Sequence, residues 1–249
     1  MSSTSEPFRL LVLGDSVPAG IGSGGRTYAK LLARWITEAT GRPARAANLA
    51  IPGLTARMLA LQVRLPLTRR AVRTADVIVI TIGANDLSAK ALTSPDAGSA
   101  DLDAALSRLT RRLRPALGEV VRVRGGAAGV WLTGYWNVFA DGSVGAGKGL
   151  HHLRIADIVT RRTNATLWAV AADLGIGFVD LYVPFKGPLG RADPTRLLAG
   201  DGDHPNADGH QVIAETLFSA LDPHLTTPDP PTHPLQVPTG APQPHQGPF

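Results

Sequence analysis

Four short clusters in this chain hold residue types that acyl transfer would need. Ser16 stands in Gly14-Asp15-Ser16, directly after the apolar run Leu10-Leu11-Val12-Leu13. A serine hydroxyl is a weak nucleophile at neutral pH and works only beside a base. Asp201-Gly202-Asp203-His204-Pro205-Asn206 offers one. Its Asp-x-x-His spacing lets one turn carry a histidine and the carboxylate that fixes its tautomer through Nδ1–H. A purely structural Asp–His pair before a helix would read the same way. An oxyanion would need donors aimed at the developing charge. The Ser16 backbone N–H, a backbone approach at Gly53 in Pro52-Gly53, and the side-chain amide of Asn85 in Gly83-Ala84-Asn85-Asp86 are suitable in type. Taken singly, each has an ordinary reading, because glycines turn and asparagines cap.

The elements that must position these residues are legible from periodicity. Phe8 to Leu13 and Asp76 to Ile82 read as strands, the second being the most strongly signalled. The β-branched run of Asp76 to Ile82 lacks alternation, as in a parallel strand buried on both faces. Ala44 to Ala50, Gly129 to Thr133 and Gly177 to Leu181 complete a set of five. Helical spacing covers Tyr28 to Thr40 with Gly41 as its stop, Ala56 to Ala75 with a break at Pro66, and Asp101 to Leu113 with a kinked continuation from Pro115 to Arg124. It also covers Leu150 to Leu174, and Asn206 to Leu221 with Asn206 as cap and Val212, Ile213, Thr216, Leu217, Ala220 and Leu221 as its stripe. Strands alternating with helices predict an α/β domain, a parallel sheet with helices on both faces. Ser16, Gly53 and Asn85 each follow a strand, which places them on one edge of that sheet, where ligands of open α/β sheets bind.

In order, Gly14-Asp15-Ser16-x-x-x-Gly20, Asn48-Leu49-Ala50-Ile51-Pro52-Gly53, Gly83-Ala84-Asn85-Asp86 and Asp201-x-x-His204-Pro205 resemble the four blocks of the SGNH (GDSL-type) hydrolases. The resemblance spans residues 8 to about 221. It implies a flavodoxin-like three-layer α/β/α sandwich with a five-stranded parallel sheet, and no metal or organic cofactor. It also implies Ser16 as nucleophile, His204 as base, Asp201 as its orienter, and Ser16, Gly53 and Asn85 as oxyanion donors. The implied reaction is a two-step acyl transfer on a small-molecule or acylated-sugar ester, by a short-acyl esterase or deacetylase. An acyltransferase or thioesterase using the same triad is the alternative, and a non-catalytic binding module on this fold is an alternative of another class. One departure is Asp203, where the family often has an apolar residue; it could compete with Asp201 for His204 or be a solvated loop carboxylate. The Gly-x-Ser-x-Gly elbow of α/β-hydrolases is absent around Ser16.

Other motifs fail on context. Gly20-Ile21-Gly22-Ser23-Gly24-Gly25 matches a dinucleotide pattern, but begins well beyond the strand and lacks the acidic partner, so a flexible surface loop is expected. Gly142 to Lys148 nearly matches a phosphate loop, but Gly149 stands where the hydroxyl should be. Asp141 to Gly149 is therefore expected to be a mobile loop or a lid. His151-His152, His210, His224, His233 and His245 read as surface histidines. Tyr135 and Trp136, after the fourth strand, are expected either to wall the pocket or to pack in the core.

Composition bounds the rest. The 249 residues, 44% apolar and 18% charged, suit one domain over 8–221 with a sizeable core, flanked by a disordered 1–7 and a Pro-rich disordered tail over 222–249. Without cysteine, disulfides and thiolate metal sites are excluded. No signal peptide or membrane-spanning run is seen, and a cytoplasmic location is expected. The net charge of +5 comes with arginine groups such as Arg69, Arg70 and Arg73. Few aromatics accompany them, so a solvated basic face is expected and nucleic-acid binding is not. Oligomeric state is left open by the sequence.

Overall fold

The five expected strands form one sheet in a computed structural model that describes residues 6–88, 92–93 and 98–225. Strands β1 (Phe8–Gly14), β2 (Ala44–Asn48), β3 (Val77–Thr81), β4 (Val130–Thr133) and β5 (Gly177–Val179) are all parallel, in the order β2-β1-β3-β4-β5. The strand order reverses at β1, whose neighbours are β2 and β3. At that switch point the loops after β1 and β3 diverge and leave a crevice at the carboxyl edge.

Side chains alternate between two cores because successive residues of a strand face opposite ways. Leu11, Leu13, Ile78, Ile80 and Leu132 enter one core; Leu10, Val12, Val77, Val79 and Trp131 enter the other. The first core is covered by α3 (Ala56–Gln62), α4 (Pro66–Thr74), α5 (Ser99–Arg124) and α7 (Leu150–Leu174). The second is covered by α2 (Tyr28–Thr40) and α9 (Ala207–Leu225). The result is the expected three-layer sandwich. The short helices α1 (Ser16–Ala19), α6 (Gly142–Gly147) and α8 (Tyr182–Lys186) lie in the loops.

Several boundaries differ from expectation for physical reasons. Pro66 begins α4 at its first position, where its missing N–H costs nothing, so the segment 56–75 is two helices. Pro115 does not divide α5; Leu109, Leu113, Ala116 and Leu117 are buried on both sides of it, and that continuous apolar stripe outweighs one lost hydrogen bond. Helix α9 runs past Pro223 to Leu225, and residues 226–249 of the expected tail lie outside the described residues, as do residues 1–5. The segment expected to be a loose loop or lid contains α6, capped by Asp141. Its glycines allow close packing: a Cβ at Gly142 would stand 2.6 Å from Thr195 Oγ1, and one at Gly145 2.7 Å from the Ala140 carbonyl. Among the described residues no helix is long and apolar enough to cross a membrane.

The tightest approach in the sheet is at the end of β1. Gly14 has φ +128°, and a Cβ there would lie 1.9 Å from the Thr81 carbonyl oxygen of β3. Gly14→Ala is expected to destabilise the protein by more than about 3 kcal/mol in urea unfolding. Gly25→Ala, at φ +86° with open space around it, is the control. It is expected to cost only about 1 kcal/mol, for backbone strain alone.

Candidate active site

The nucleophile block is shaped by that close contact. The Asp15 N–H donates to the Thr81 carbonyl at 3.1 Å, and the Gly14 carbonyl accepts the Ile51 N–H at 2.9 Å. Asp15 then caps α1, its Oδ1 accepting the Val17 N–H at 3.0 Å, and Ser16 becomes the first helical residue. A first-turn N–H has no partner inside the helix, so the Ser16 amide is open to a ligand.

The second and third blocks grip each other. Asn85 Nδ2 donates to the Leu54 carbonyl at 3.1 Å, using one amide proton and leaving the other. Asp86 Oδ2 accepts the Ala56 N–H at 2.8 Å, at the start of α3, and its Oδ1 pairs with Arg112 at 3.5 Å. Burial raises the Asp86 carboxyl, against the lowering effect of these partners. Gly53 lies between Ile51, tied to β1, and Leu54, tied to Asn85, in an exposed turn with φ +77°.

The base block is a self-contained turn. Asp201 Oδ1 accepts the N–H groups of Asp203 and His204 at 2.9 and 3.0 Å, and Oδ2 receives His204 Nδ1 at 2.7 Å. That bond assigns the proton to Nδ1 and leaves Nε2 as the acceptor. Partial burial works against the Asp201 charge, but the three hydrogen bonds outweigh it and hold the carboxyl below its usual range. Asn206 fastens the turn to α9. Its Oδ1 accepts the N–H groups of Asp208 and Gly209, and its Nδ2 donates to the carbonyls of Arg196 and Leu198. Gly22 lies beneath: a Cβ there would stand 3.2 Å from His204 Cβ and 3.0 Å from the Pro205 carbonyl. The glycine run expected to be a flexible loop is thus packed, at Gly22, against the histidine turn.

These blocks meet at a pocket of about 220 Å³ whose lining includes Ser16, Asn85, His204, Asp203 and Asp15. Asp201 stands behind His204, and Gly53 does not line the cavity. Asp203 lines it without bonding the imidazole; burial raises its carboxyl, His204 lowers it and Asp201 raises it. Tyr135 and Trp136 both wall the pocket and pack in the interior, 2% and 1% exposed. Asn164 of α7 clamps Tyr135 at both backbone groups, at 2.9 and 2.8 Å, and Trp136 stacks on Phe185 with ring centroids 4.5 Å apart.

Two roles escaped the sequence reading. Asp15 is buried, and its Oδ2 accepts the Tyr135 hydroxyl at 2.6 Å, which in turn accepts the Ala84 N–H at 3.3 Å. Burial pushes the Asp15 carboxyl up to about 6, against the lowering effect of Tyr135 and Val17. The signal was its place between two motif residues, but its partner lies 120 positions away. The second is Asp141, which caps α6 through Gly142, takes Lys186 Nζ on Oδ2 at 2.5 Å, and donates its N–H to the Gly202 carbonyl at 2.7 Å. The ion pair ties the start of α6 to α8, and the main-chain bond to Gly202 holds it against the histidine turn.

Among the described residues no group of three metal-ligating side chains occurs, and His233 and His245 lie outside the described residues. His151 is exposed and His152 Nε2 meets the Ala140 carbonyl at 2.9 Å. His210 is not at the surface, as expected, but fully buried, its Nδ1 accepting the Tyr28 N–H at 3.3 Å. The first turn of α9 packs under the start of α2, which the helical pattern alone did not reveal. Burial, with a smaller contribution from His204, pushes His210 down to about 4.

The chain belongs to the GDSL-like lipase/acylhydrolase family, whose model matches residues 12–212. A GDSL-like esterase of Mycobacterium tuberculosis is 29% identical over 219 residues, covering 87% of this chain; the match spans 62% of that relative's length. A lipase from a goat rumen metagenome has a TM-score of 0.71 at 22% identity, covering 86% of this chain and 97% of its own. An extracellular lipase of Streptomyces rimosus has a TM-score of 0.61 at 24% identity, covering 86% and 99%. An acetylxylan esterase of Geobacillus stearothermophilus has a TM-score of 0.61 at 19% identity, covering 85% and 93%. These structures share the SGNH-type fold of this chain.

The site's buried charges give two expected outcomes. Lys186→Met leaves the Asp141 carboxylate buried without its cation and is expected to cost about 3 kcal/mol, read from urea unfolding. His210 refuses a proton below its ordinary pKa of about 6.5 that the unfolded chain accepts. Its contribution is therefore present above about pH 6.5 and is lost as pH falls towards 4, up to about 3 kcal/mol. Asp15, raised, contributes in the opposite sense, present in acid and lost as pH rises through about 6. The thermal midpoint of His210→Phe should accordingly fall less than that of wild type between pH 7 and 5; equal falls would contradict this account.

Proposed function

We propose that the protein is a serine esterase acting through a covalent acyl-enzyme, with Ser16 as nucleophile, His204 as base and Asp201 as orienter. The observation that carries this reading is that Ser16, Asn85 and a histidine already bonded through Nδ1 to a carboxylate line one pocket.

In the first step Ser16 Oγ attacks the acyl carbon while its proton passes to His204 Nε2. The imidazolium that forms is stabilised by Asp201, which stays ionised because its hydrogen bonds hold its carboxyl low. Negative charge collects on the former carbonyl oxygen. The Ser16 N–H and the free proton of the Asn85 amide, both from residues that line the pocket, are the donors proposed for it, while Gly53, the third expected donor, sits in the exposed turn outside that lining. The C–O bond to the alcohol breaks as His204 returns the proton to the leaving oxygen. Water then attacks the acyl-serine, giving its proton to His204, and the collapse releases the acid and restores Ser16.

The pocket supports a short acyl group. Its volume of about 220 Å³ lies below the range of about 300–1,000 Å³ usual for drug-sized ligands, and Trp136 and Phe139 wall it. Asp15 and Asp203 line it with no cationic Lys or Arg, which favours a neutral acyl chain over an anionic one.

Ser16→Ala is expected to lower turnover of p-nitrophenyl acetate by at least about 10³-fold without loss of the thermal transition. Wild-type kcat/KM should fall in acid with a one-proton slope, and should be higher for the acetyl than for the octanoyl ester. Retained turnover in Ser16→Ala, or a profile flat into acid, would contradict the assignment.

A further inference from the structure

Residues 54–75 hold Arg57, Arg64, Arg69, Arg70 and Arg73 and no Asp or Glu. Their helices, α3 and α4, bury one side in the core, where Leu59, Val63 and Val72 are inaccessible. The corner between them turns outward. Leu61, Leu65 and Leu67 are 57%, 56% and 72% exposed, and Met58, one turn before Leu61 on α3, is 46% exposed. Beside the corner, Pro66, Arg69, Arg70, Arg73 and Thr74 line an open groove of about 440 Å³.

Among the described residues none of these arginines is paired with a carboxylate. Glu119, which feels Arg64 and Arg69 at a distance, is bound to Arg122. The patch thus joins unneutralised positive charge to leucines that the fold leaves in water. A solvated basic face accounts for the first and not for the second.

We propose that the α3–α4 corner docks on an anionic lipid surface. Leu61, Leu65 and Leu67 enter the headgroup–acyl boundary, and the arginine groove receives the phosphate of a headgroup. A second copy of the chain fits less well, because a two-fold contact would bring the two arginine sets together with no carboxylate to answer them. A nucleic acid would use the guanidinium groups but leave the leucines wet, and the segment has no aromatic residue for a base to stack on. The proposal does not depend on the chemistry of Ser16.

The test is sedimentation of the full chain with phosphatidylcholine vesicles, with and without added phosphatidylglycerol. Binding is expected only with the anionic lipid, and should weaken as salt rises. The triple variants Leu61→Ser/Leu65→Ser/Leu67→Ser and Arg69→Gln/Arg70→Gln/Arg73→Gln should each lose binding by roughly tenfold or more, while turnover of a soluble acetyl ester stays at the wild-type level. No vesicle binding, wild-type vesicle binding by either variant, or binding to RNA in place of vesicles would overturn the proposal. So would a leucine-dependent dimer that does not bind lipid.

Discussion

Gly14 meets Thr81 at a separation that no side chain could share, and the site is built outward from that contact. Because β1 and β3 close on each other there, the Asp15 N–H reaches the Thr81 carbonyl and the next residue starts a helix. The Gly14 carbonyl is left to take the Ile51 N–H, which brings in the chain after β2. Asn85 and Asp86, just beyond β3, then seize Leu54 and Ala56. Three strand ends are locked together by main-chain bonds and two short side chains. Only the histidine turn arrives from elsewhere, as a preassembled unit between Leu198 and α9, steadied by Asn206 beneath and by Asp141 at its flank.

The charges around the pocket differ because their environments differ. Asp201 gathers three hydrogen bonds in a half-exposed turn and stays ionised. Asp15 has two partners but is wholly buried, so desolvation prevails and its carboxyl rises. Asp203, exposed on the rest of its surface, lines the pocket without bonding the imidazole, and its carboxyl is raised as well. His210, a turn and a half beyond His204, is kept neutral by burial. One base, one committed carboxylate and two reluctant ones thus result from access to water and donors, with no difference in residue type among the three aspartates.

The parts legible in the sequence are those encoded locally. Tyr28–Thr40 and Leu150–Leu174 have the bounds that periodicity and their closing glycines imply. The Asp-x-x-His turn is local too, which is why Asp201 could be named as the partner of His204. Sequence spacing cannot show partners across the fold. Tyr135 meets Asp15, Lys186 meets Asp141, and Tyr28 buries His210, each across many residues. Gly142 and Gly22 read as looseness because a glycine needed for close packing and a glycine in a free loop, such as Gly25, are the same letter; Thr195 and the His204 turn are what distinguish them.

The central claim is that Ser16 becomes covalently acylated. Treatment of the full chain with a fluorophosphonate, followed by peptide mass spectrometry, tests it directly. The account predicts one adduct, on Ser16, formed faster at neutral pH than in acid and strongly slowed in Asp201→Asn. An adduct on another residue, or none while ester turnover persists, would contradict it.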